Sequence, residues 1–260
     1  MIGSLIIYSS TDGHTKTICK RIIDFLKDGN KAKLVSLNDA KNLNLSKFDR
    51  IIIGARTQKA KKVMTEIYKP LYLREFPIVF TDQESAELIK YASNTFLATK
   101  VTFINEIAAL CEHAGGDVRE VAKGMGLDNR IGKHFLHAGP GYGGSCFPKD
   151  TLALSEMGKE HGANQTIVEA VIKANEQVKQ RMVKKIFSVL DNSTENKIIS
   201  FLGVTFKPNT DDIRDAPSLS ILPQLQTDTT EIRVVDPKGF KEGKKFLKGI
   251  NWFECPYESS

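Results

Sequence analysis

"ELIKYASNTFLATKVTFINE", residues 87–106, decides the fold of the middle of this 260-residue chain. The segment contains no glycine or proline, and Thr81 followed by Glu84 fits a capping box just before it. Its apolar residues recur at helical spacing and predict one stripe along a long helix: Leu88, Ala92, Phe96, Ile104, Ala108 and Cys111. We expect this capping box to open the helix, and the helix to end near the glycine pair of "HAGGD".

The elements around this helix predict an α/β chain with an all-helical centre. Further helices are expected at 117–125, roughly 150–162, and 165–190. Ahead of them, "SLIIYS", "KAKLVSL" and "DRIIIGA" are typical of buried strands, and "KTICKRIIDFLKDG" is typical of a helix. After them, "NKIISFLGVTF", "APSLSILPQL" and "EIRVVDP" predict strand, helix and strand. The predicted parts are an α/β segment (1–57), a connector with a short helix and an extended stretch (58–80), a helical domain (81–193) and a second α/β domain (194–260).

Composition narrows the class of protein. The apolar content of 41% and the charged content of 26% are those of a globular domain, and the apolar runs are too short to span a bilayer. The start of the chain lacks the pattern of a signal peptide, and the four cysteines lack both C-x-x-C pairs and metal-ligand spacing. We therefore expect a cytoplasmic protein with free thiols, no metal site and no membrane association. The net charge of +6 is spread along the chain, so we expect no nucleic-acid partner.

A glycine-rich approach to a cysteine is the first candidate for chemistry. In "HAGPGYGGSCFPKD", residues 137–150, the glycines let the backbone approach a ligand closely. Cys146 stands where a helix is expected to begin near Asp150, and both the helix N-terminus and Lys149 favour its thiolate. The alternative is a glycine-rich turn around a buried structural cysteine.

Two further groups of polar residues allow a functional and a structural interpretation. Lys90 and Asn94 are four residues apart, so both project from one helix face, either at the edge of a solvated surface or into a ligand pocket. The stretch "FLGVTFKPNTDDIRDAPS", residues 201–218, leads from a strand into a charged loop at a sheet end where nucleotides commonly bind. Surface charge is the alternative for its residues Lys207, Asp211, Asp212 and Arg214.

Three of the stretches quoted above, residues 87–106, 137–150 and 201–218, occur in an order that is characteristic of one family. Together they closely resemble the UDP-glucose 6-dehydrogenases of the UDP-glucose/GDP-mannose dehydrogenase family. The resemblance runs from about residue 49 to about residue 255. It implies a two-step oxidation of the C6 alcohol of UDP-glucose to UDP-glucuronate, in which two NAD molecules each accept a hydride. It also implies a homodimer built on the long central helix.

The resemblance also implies roles for individual residues. Cys146 is the implied nucleophile, which holds the sugar first as a thiohemiacetal and then as a thioester. Lys90 and Asn94 are implied to hold the reacting sugar and its oxyanion, and Asp150 to help activate the hydrolytic water. The residues implied to contact the substrate are Phe135, Leu136, His137, Ala138, Gly139, Gly143 and Lys207, with Arg130 offered across the dimer interface. Lys149 and Arg214 are implied to reach NAD.

The chain departs from the family at its first 55 residues. No G-x-G-x-x-G turn follows the first strand, where Gly13 stands alone, and the family's Asn-Pro-Glu-Phe segment is absent. Residues 1–55 instead resemble the first half of a flavodoxin-type protoporphyrinogen oxidase, whose hydroxyl-rich loop, here residues 9–15, would wrap the phosphate of FMN. Nothing in the remaining sequence matches the loops that flank a flavin ring, so we expect no stable flavin binding.

These departures suggest a fusion joined at "DRIIIGA", because both families have a strand there. The expected architecture is a partial flavodoxin-like or Rossmann-like sheet, a helical dimerisation domain and a truncated UDP-binding α/β domain. The leading hypothesis is an NAD-dependent UDP-glucose 6-dehydrogenase whose turnover is impaired because the NAD-binding domain is replaced. The alternatives are an FMN-binding electron-transfer module and a non-catalytic dimer that binds nucleotide sugars.

Overall fold

A computed structural model describes residues 5–8, 33–36, 51–55, 57–68 and 78–259 of the chain. The helix predicted in "KTICKRIIDFLKDG" and the hydroxyl-rich loop at 9–15 lie outside the described residues. The chain divides into two compact units, Met1–Ile89 and Lys90–Ser260. Each unit is described by itself below.

The first unit contains two pairs of parallel strands. Strand β1 (Leu5–Tyr8) pairs with β2 (Lys33–Ser36), and β3 (Ile51–Gly54) pairs with β4 (Ile78–Thr81). Helix α1 (Gln58–Tyr68) lies between β3 and β4 in the sequence, as expected where two parallel strands need a crossover. The strands predicted from the apolar runs and the short helix predicted in the connector are confirmed.

The long helix α2 (Gln83–Ala114) begins two residues after the position predicted for its cap. Thr81 is the last residue of β4, and its carbonyl oxygen accepts a hydrogen bond from the Ala55 amide at 2.8 Å. Asp82 caps the helix instead, because its carboxylate accepts the Ser85 amide at 2.6 Å. The Ser85 amide and hydroxyl lower the pKa of Asp82. The capping box at Thr81 and Glu84 is therefore wrong, since strand pairing already occupies Thr81.

The buried face of α2 differs from the predicted apolar stripe. Ile104 and Cys111 are buried as expected, but the side chains of Leu88 and Phe96 are 50% and 65% exposed, and Ala92 is exposed as well. Small and polar residues occupy the core-facing positions instead: Thr95, Ala98, Thr102 and Asn105. The stripe is wrong in its first half, because close packing of Ala98 against Tyr142 and Val171 selects for small side chains there.

The other helices of the centre follow the sequence pattern closely. They are α3 (Val118–Gly126), α4 (Phe147–Glu160) and α5 (Thr166–Val189). Helix α4 starts three residues before the predicted position, because Pro148 fits the first turn of a helix, where its missing N–H costs no hydrogen bond. As a result, Cys146 is the N-cap residue of α4.

The last part of the chain is a three-stranded parallel sheet in the order β5 (Ile198–Leu202), β6 (Glu231–Val235), β7 (Asn251–Phe253). Helix α6 (Pro217–Leu225) connects β5 to β6, and α7 (Phe240–Phe246) connects β6 to β7. The strand–helix–strand prediction is confirmed. Helix α7 and strand β7 were not predicted. The sequence around them is rich in lysine and glycine, and a strand of only three residues gives too short an apolar run to be recognised.

The main core joins this sheet to the helical centre. Buried residues of the sheet and of α6 pack together with Val183 of α5, and Met182, Ile186 and Phe187 of the same helix pack against them. The C-terminal half of α5 therefore belongs to the core of the sheet. This shared core fixes the C-terminal half of α5 against the sheet.

A buried carboxylate organises the carboxyl end of β6. Asp236 is only 6% exposed, and it accepts backbone N–H groups from Val204 (2.8 Å), Thr205 (3.2 Å), Lys238 (3.0 Å) and Gly239 (2.6 Å). Burial alone raises the pKa of Asp236, but the four N–H donors outweigh burial, and the net pKa is lowered. The carboxylate therefore holds the start of the loop after β5 against the turn that follows β6.

We expect Asp236→Asn to lower the free energy of unfolding by about 1–3 kcal/mol at pH 7, because an amide nitrogen cannot accept N–H donors. Since the folded-state pKa of Asp236 is depressed, its contribution is complete above the unfolded pKa of about 3.9 and is lost as the pH falls through the lower folded pKa. Urea unfolding of both proteins from pH 7 to pH 3 measures this difference, which should shrink with acid. The exposed Asp191→Asn is the matched control, and an equal loss in both variants would contradict the assignment.

Candidate active site

The cysteine of the glycine-rich loop stands at the start of α4. Cys146 is exposed and caps the helix with its backbone, and its carbonyl oxygen accepts the Asp150 amide at 2.8 Å. The hydroxyl oxygen of Ser145 lies 3.8 Å from the sulfur. Lys149 follows in the first turn, with its side chain exposed. The alternative of a buried structural cysteine is therefore wrong for Cys146.

Asp150 links α4 to the long helix. Its carboxylate is fully buried, and its Oδ2 atom accepts the Lys90 ammonium at 2.7 Å and the Asn94 amide at 2.5 Å. Its other oxygen, Oδ1, has no hydrogen-bond partner within the described residues, and Lys149 Nζ lies 3.9 Å from it. The Lys–Asn pair on one helix face therefore meets a buried carboxylate. Five residues singled out in the sequence therefore lie around the start of α4: Lys90, Asn94, Cys146, Lys149 and Asp150.

The chemistry of this arrangement follows from burial. An ionised carboxylate without water is costly unless positive or polar donors replace its hydration, and the Lys90 ammonium and the Asn94 amide both do so. The Lys90 side chain remains 58% exposed, so its ammonium reaches both the carboxylate and the solvent side. A cation, an amide donor and a carboxylate oxygen without a hydrogen bond are then within one small region, four residues along α4 from the exposed thiol. Such a set can bind a carbonyl or hydroxyl group and move a proton.

The glycines before Cys146 pack against the loop between β5 and α6. A Cβ atom on Gly143 would lie 2.2 Å from the carbonyl oxygen of Asp215. Gly144, with a φ of +84°, donates its amide to the Arg214 carbonyl oxygen at 2.8 Å, and its missing Cβ leaves room for the Phe206 ring. Both glycines are thus required for close packing within the protein. At these two positions, close packing within the protein takes the place of the close approach to a ligand that the sequence predicts.

The segment ahead of these glycines separates into an inner and an outer part. Phe135 has a φ of +63°, and its ring centroid lies 5.9 Å from that of Phe147. Leu136 is buried at 4% exposure, whereas residues 137–139 are exposed. Of the residues expected to contact a substrate, Leu136 points into the core. The exposed residues of this segment remain candidates for direct contact.

The charged loop after β5 brings cations towards the same region. Arg214 donates to both oxygens of Asp212, at 2.9 and 2.6 Å. This bidentate pair raises the pKa of Arg214 and lowers that of Asp212, and the nearby Cys146 adds to the rise at Arg214. Lys207 is exposed, and its ammonium lies 5.0 Å from the Phe206 ring centroid. Arg214 and Lys207 therefore flank the loop on which the cysteine segment docks.

Arg130 lies apart from these residues. In the described part of the chain its guanidinium pairs with Asp128 at 2.6 Å, and its side chain is 89% exposed. The pairing raises the pKa of Arg130 and lowers that of Asp128. The structure does not bring Arg130 together with Cys146, Lys90 or Asp150.

Two buried asparagines that the sequence reading missed hold the cysteine segment. Asn105 of α2, 1% exposed, accepts the Gly139 amide at 2.7 Å. Asn175 of α5, 3% exposed, accepts the Tyr142 amide at 2.8 Å and donates to the Tyr142 carbonyl oxygen at 3.2 Å. An asparagine at a core-facing position of a helix was the signal that could have identified them.

A dinucleotide site is not formed by the described residues. Gly139, Gly141 and Gly144 fit the letters of G-x-G-x-x-G, but no strand leads into them. The unit from β5 to β6 ends on Asp236, where such a unit places the acid that binds ribose, yet this carboxylate already accepts four backbone amides. An open cavity of about 500 Å³ lies at this end of the sheet, and its lining includes Leu202, Thr205, Asn209, Asp236, Lys238 and Glu254.

Among the described parts of the chain, no cluster of three or more histidine, cysteine, aspartate or glutamate side chains is placed to hold a metal ion. None of the helices described is both long enough and apolar enough to cross a membrane.

Comparison with protein families gives three matches. Residues 84–177 match the central domain of the UDP-glucose/GDP-mannose dehydrogenase family, and residues 200–260 match the UDP binding domain of the same family. Residues 5–67 match a flavodoxin domain. These matches confirm the resemblance to the UDP-glucose/GDP-mannose dehydrogenase family and the flavodoxin-like character of the first residues.

Individual relatives agree with the family matches. The chain is 48% identical over 214 residues to a UDP-glucose 6-dehydrogenase of Rhizobium meliloti, covering 82% of this chain and 49% of that protein. It is 43% identical over 224 residues to one of Bacillus subtilis, covering 86% of this chain and 46% of that protein. The structure of a UDP-glucose dehydrogenase from Pyrobaculum islandicum is similar with a TM-score of 0.78 at 33% identity, covering 98% of this chain and 60% of that chain. The chain thus spans about half the length of the curated relatives named here.

Proposed function

The chain belongs to the UDP-glucose/GDP-mannose dehydrogenase family through its central and UDP-binding domains, and from this we propose that it binds UDP-glucose and acts as a UDP-glucose 6-dehydrogenase-type oxidoreductase. The observation that supports this most is the buried Asp150 carboxylate that receives Lys90 and Asn94 beside the exposed Cys146. It combines a thiol nucleophile with donors for an oxyanion.

The covalent step follows from these groups. The Cys146 thiolate adds to the C6 carbonyl carbon of the sugar aldehyde, and the carbonyl electron pair moves onto the oxygen. The Lys90 ammonium and the Asn94 amide are the donors that stabilise this oxyanion, and Lys90 supplies the proton that completes the thiohemiacetal. In later hydrolysis of a thioester at the same sulfur, Asp150 Oδ1 would accept a proton from water, since this oxygen makes no hydrogen bond within the described residues and has only the Lys149 ammonium nearby, at 3.9 Å.

Substrate contacts are proposed on both sides of the cysteine. The exposed segment 137–139 and Phe135 would line the sugar on one side, and Lys207 would contact the diphosphate on the other. Gly143, which is buried against Asp215, would act by letting the cysteine segment pack closely on the loop after β5. Leu136 would act from the core, by supporting this segment.

NAD is the hydride acceptor that this family's reaction requires. Within the described residues, Lys149 and Arg214 offer cations for its phosphates, but a pyrophosphate turn after a strand and a free acid for ribose are both lacking. The described residues therefore do not fit the whole cofactor. We propose that UDP-glucose binding is retained and that NAD-dependent oxidation is weak, in a protein located in the cytoplasm.

The long helix supports a homodimer. On α2, three large apolar side chains are exposed at a spacing of seven residues: Phe96 at 65%, Phe103 at 46% and Leu110 at 62%. An apolar seam with this spacing is typical of helices that pack against a second helix. We propose that two copies of α2 pair along this seam, which would also leave Arg130 free to reach the partner's site.

A second function is favoured by one observation, the flavodoxin match over residues 5–67. It would be binding of FMN by the loop at 9–15, which lies outside the described residues. Flavin absorbance in the purified protein separates this function from nucleotide-sugar binding.

We expect Lys90→Ala to weaken UDP-glucose binding about tenfold or more, because a charge-assisted hydrogen bond to the sugar is lost. Isothermal titration calorimetry measures this affinity, with Lys173→Ala on the exposed face of α5 as the matched control.

In the wild-type protein, NADH formation with UDP-glucose and NAD should be far slower than in an intact relative. Unchanged affinity in Lys90→Ala would contradict the proposed site, and rapid turnover that disappears in Cys146→Ala would contradict the impairment.

Phe103→Glu should convert the dimer to a monomer, because a carboxylate cannot be buried in an apolar seam without a partner. Sedimentation velocity measures the change, and Leu152→Glu on the exposed surface of α4 is the control expected to leave the mass unchanged. A wild-type protein that sediments as a monomer would contradict the proposed dimer.

A further inference from the structure

Residues 137–142, which lie between Phe135 and the packed glycines Gly143 and Gly144, make few hydrogen bonds within the chain. Residues 137–142 form neither helix nor strand, and within the described chain none of their N–H or C=O groups makes a hydrogen bond to another backbone group. Backbone polar groups in a segment of this kind must be held by side chains or by water. The conformation of this segment therefore depends on the few side chains that contact it.

Asn105 is the first of these side chains. It lies on the buried face of α2, and its Oδ1 atom accepts the Gly139 amide at 2.7 Å. Its Nδ2 atom has no partner within the described residues, so the acceptor oxygen is the functional atom of this side chain. Its backbone oxygen accepts Arg181 Nη2 at 2.9 Å, which ties this turn of α2 to α5. The acceptor is thus fixed in place before the segment meets it.

Asn175 is the second. Its side chain makes two bonds with Tyr142, one in each direction, as a strand partner would. It also lies against Gly141, whose φ of +112° excludes ordinary side chains and where a Cβ would come within 3.0 Å of Asn175 Oδ1. The two asparagines come from different helices and hold the two ends of a four-residue stretch.

We propose that Asn105 and Asn175 are positioning residues, which fix the main chain of residues 139–142 and through it the approach to Cys146. The stretch continues directly into Gly143 and Gly144, which dock on Asp215 and Phe206, and then into Cys146. A shift of the stretch therefore displaces the segment 137–139 and alters the loop that carries the thiol. The functional consequence rests on the proposed UDP-glucose site, but the positioning itself does not.

Amide hydrogen exchange of the wild-type full chain tests the positioning without any ligand. Residues 137–142 carry five backbone N–H groups. Two of them donate hydrogen bonds to the asparagine side chains, and the other three make no hydrogen bond within the described structure. We expect the Gly139 and Tyr142 amides to exchange at least about tenfold more slowly than those of His137, Ala138 and Gly141. Equal exchange at all five would overturn the proposal.

Matched variants then separate positioning from simple packing. Asn105→Leu has the same branching and the same number of side-chain heavy atoms but no acceptor, whereas Asn105→Asp keeps an acceptor oxygen and loses only the nitrogen that has no partner. We expect Asn105→Leu to abolish the protection of Gly139 while the amides of α2 keep theirs, and Asn105→Asp to retain it, with Arg181 supplying a nearby positive charge. If Asn105→Leu keeps Gly139 protected, or if both variants lose protection throughout α2, the proposal is wrong.

The effect of the two asparagines on the proposed site is measured in the same variants, by UDP-glucose binding and by alkylation of Cys146. We expect Asn105→Leu to raise the dissociation constant for UDP-glucose about tenfold and to change the iodoacetamide rate of Cys146 relative to Cys255, with Asn105→Asp restoring both. A wild-type protein that does not bind UDP-glucose refutes the proposed function but leaves the exchange and alkylation results to decide the positioning. Normal binding and alkylation in Asn105→Leu would overturn the proposed consequence for the site.

Discussion

The burial of one carboxylate constrains the whole candidate site. Asp150 is inaccessible to solvent, so its charge must be balanced by protein groups, and Lys90 and Asn94 of α2 provide that balance. Asp150 also lies in the first turn of α4, whose N-cap is Cys146. The same contact therefore sets the register of α4 against the long helix and the place of the thiol relative to the ammonium and the amide.

A second constraint couples the helical centre to the parallel sheet. Gly143 and Gly144 lack the side chains that would collide with Asp215 and Phe206, and this allows the cysteine segment to lie directly on the loop after β5. Helix α5 extends into the core of the sheet through Val183. Because both contacts join the same two regions, the cations of the charged loop, such as Arg214, are held at a fixed place beside the cysteine segment.

Sequence reasoning was strongest where the determinants are local. The helices of the centre and the strands β5 and β6 follow from periodicity, and the Lys90–Asn94 pair follows from a spacing of four residues. It failed where a tertiary contact replaced the local preference. Thr81 has every feature of a cap but is taken by strand pairing, so Asp82 caps α2. Phe96 fits an apolar stripe but is exposed, because the core side of α2 requires small residues beside Tyr142.

The central claim is that the Lys90 ammonium and the buried Asp150 carboxylate stabilise each other. A double-mutant cycle on the free energy of unfolding tests this most directly. Lys90→Met, Asp150→Asn and the double variant would be unfolded in urea, with the exposed pair Lys123 and Glu120 of α3 as the reference cycle. We expect a coupling of about 0.5–3 kcal/mol between Lys90 and Asp150, and none that is measurable in the reference pair. Additive effects of Lys90→Met and Asp150→Asn would contradict it.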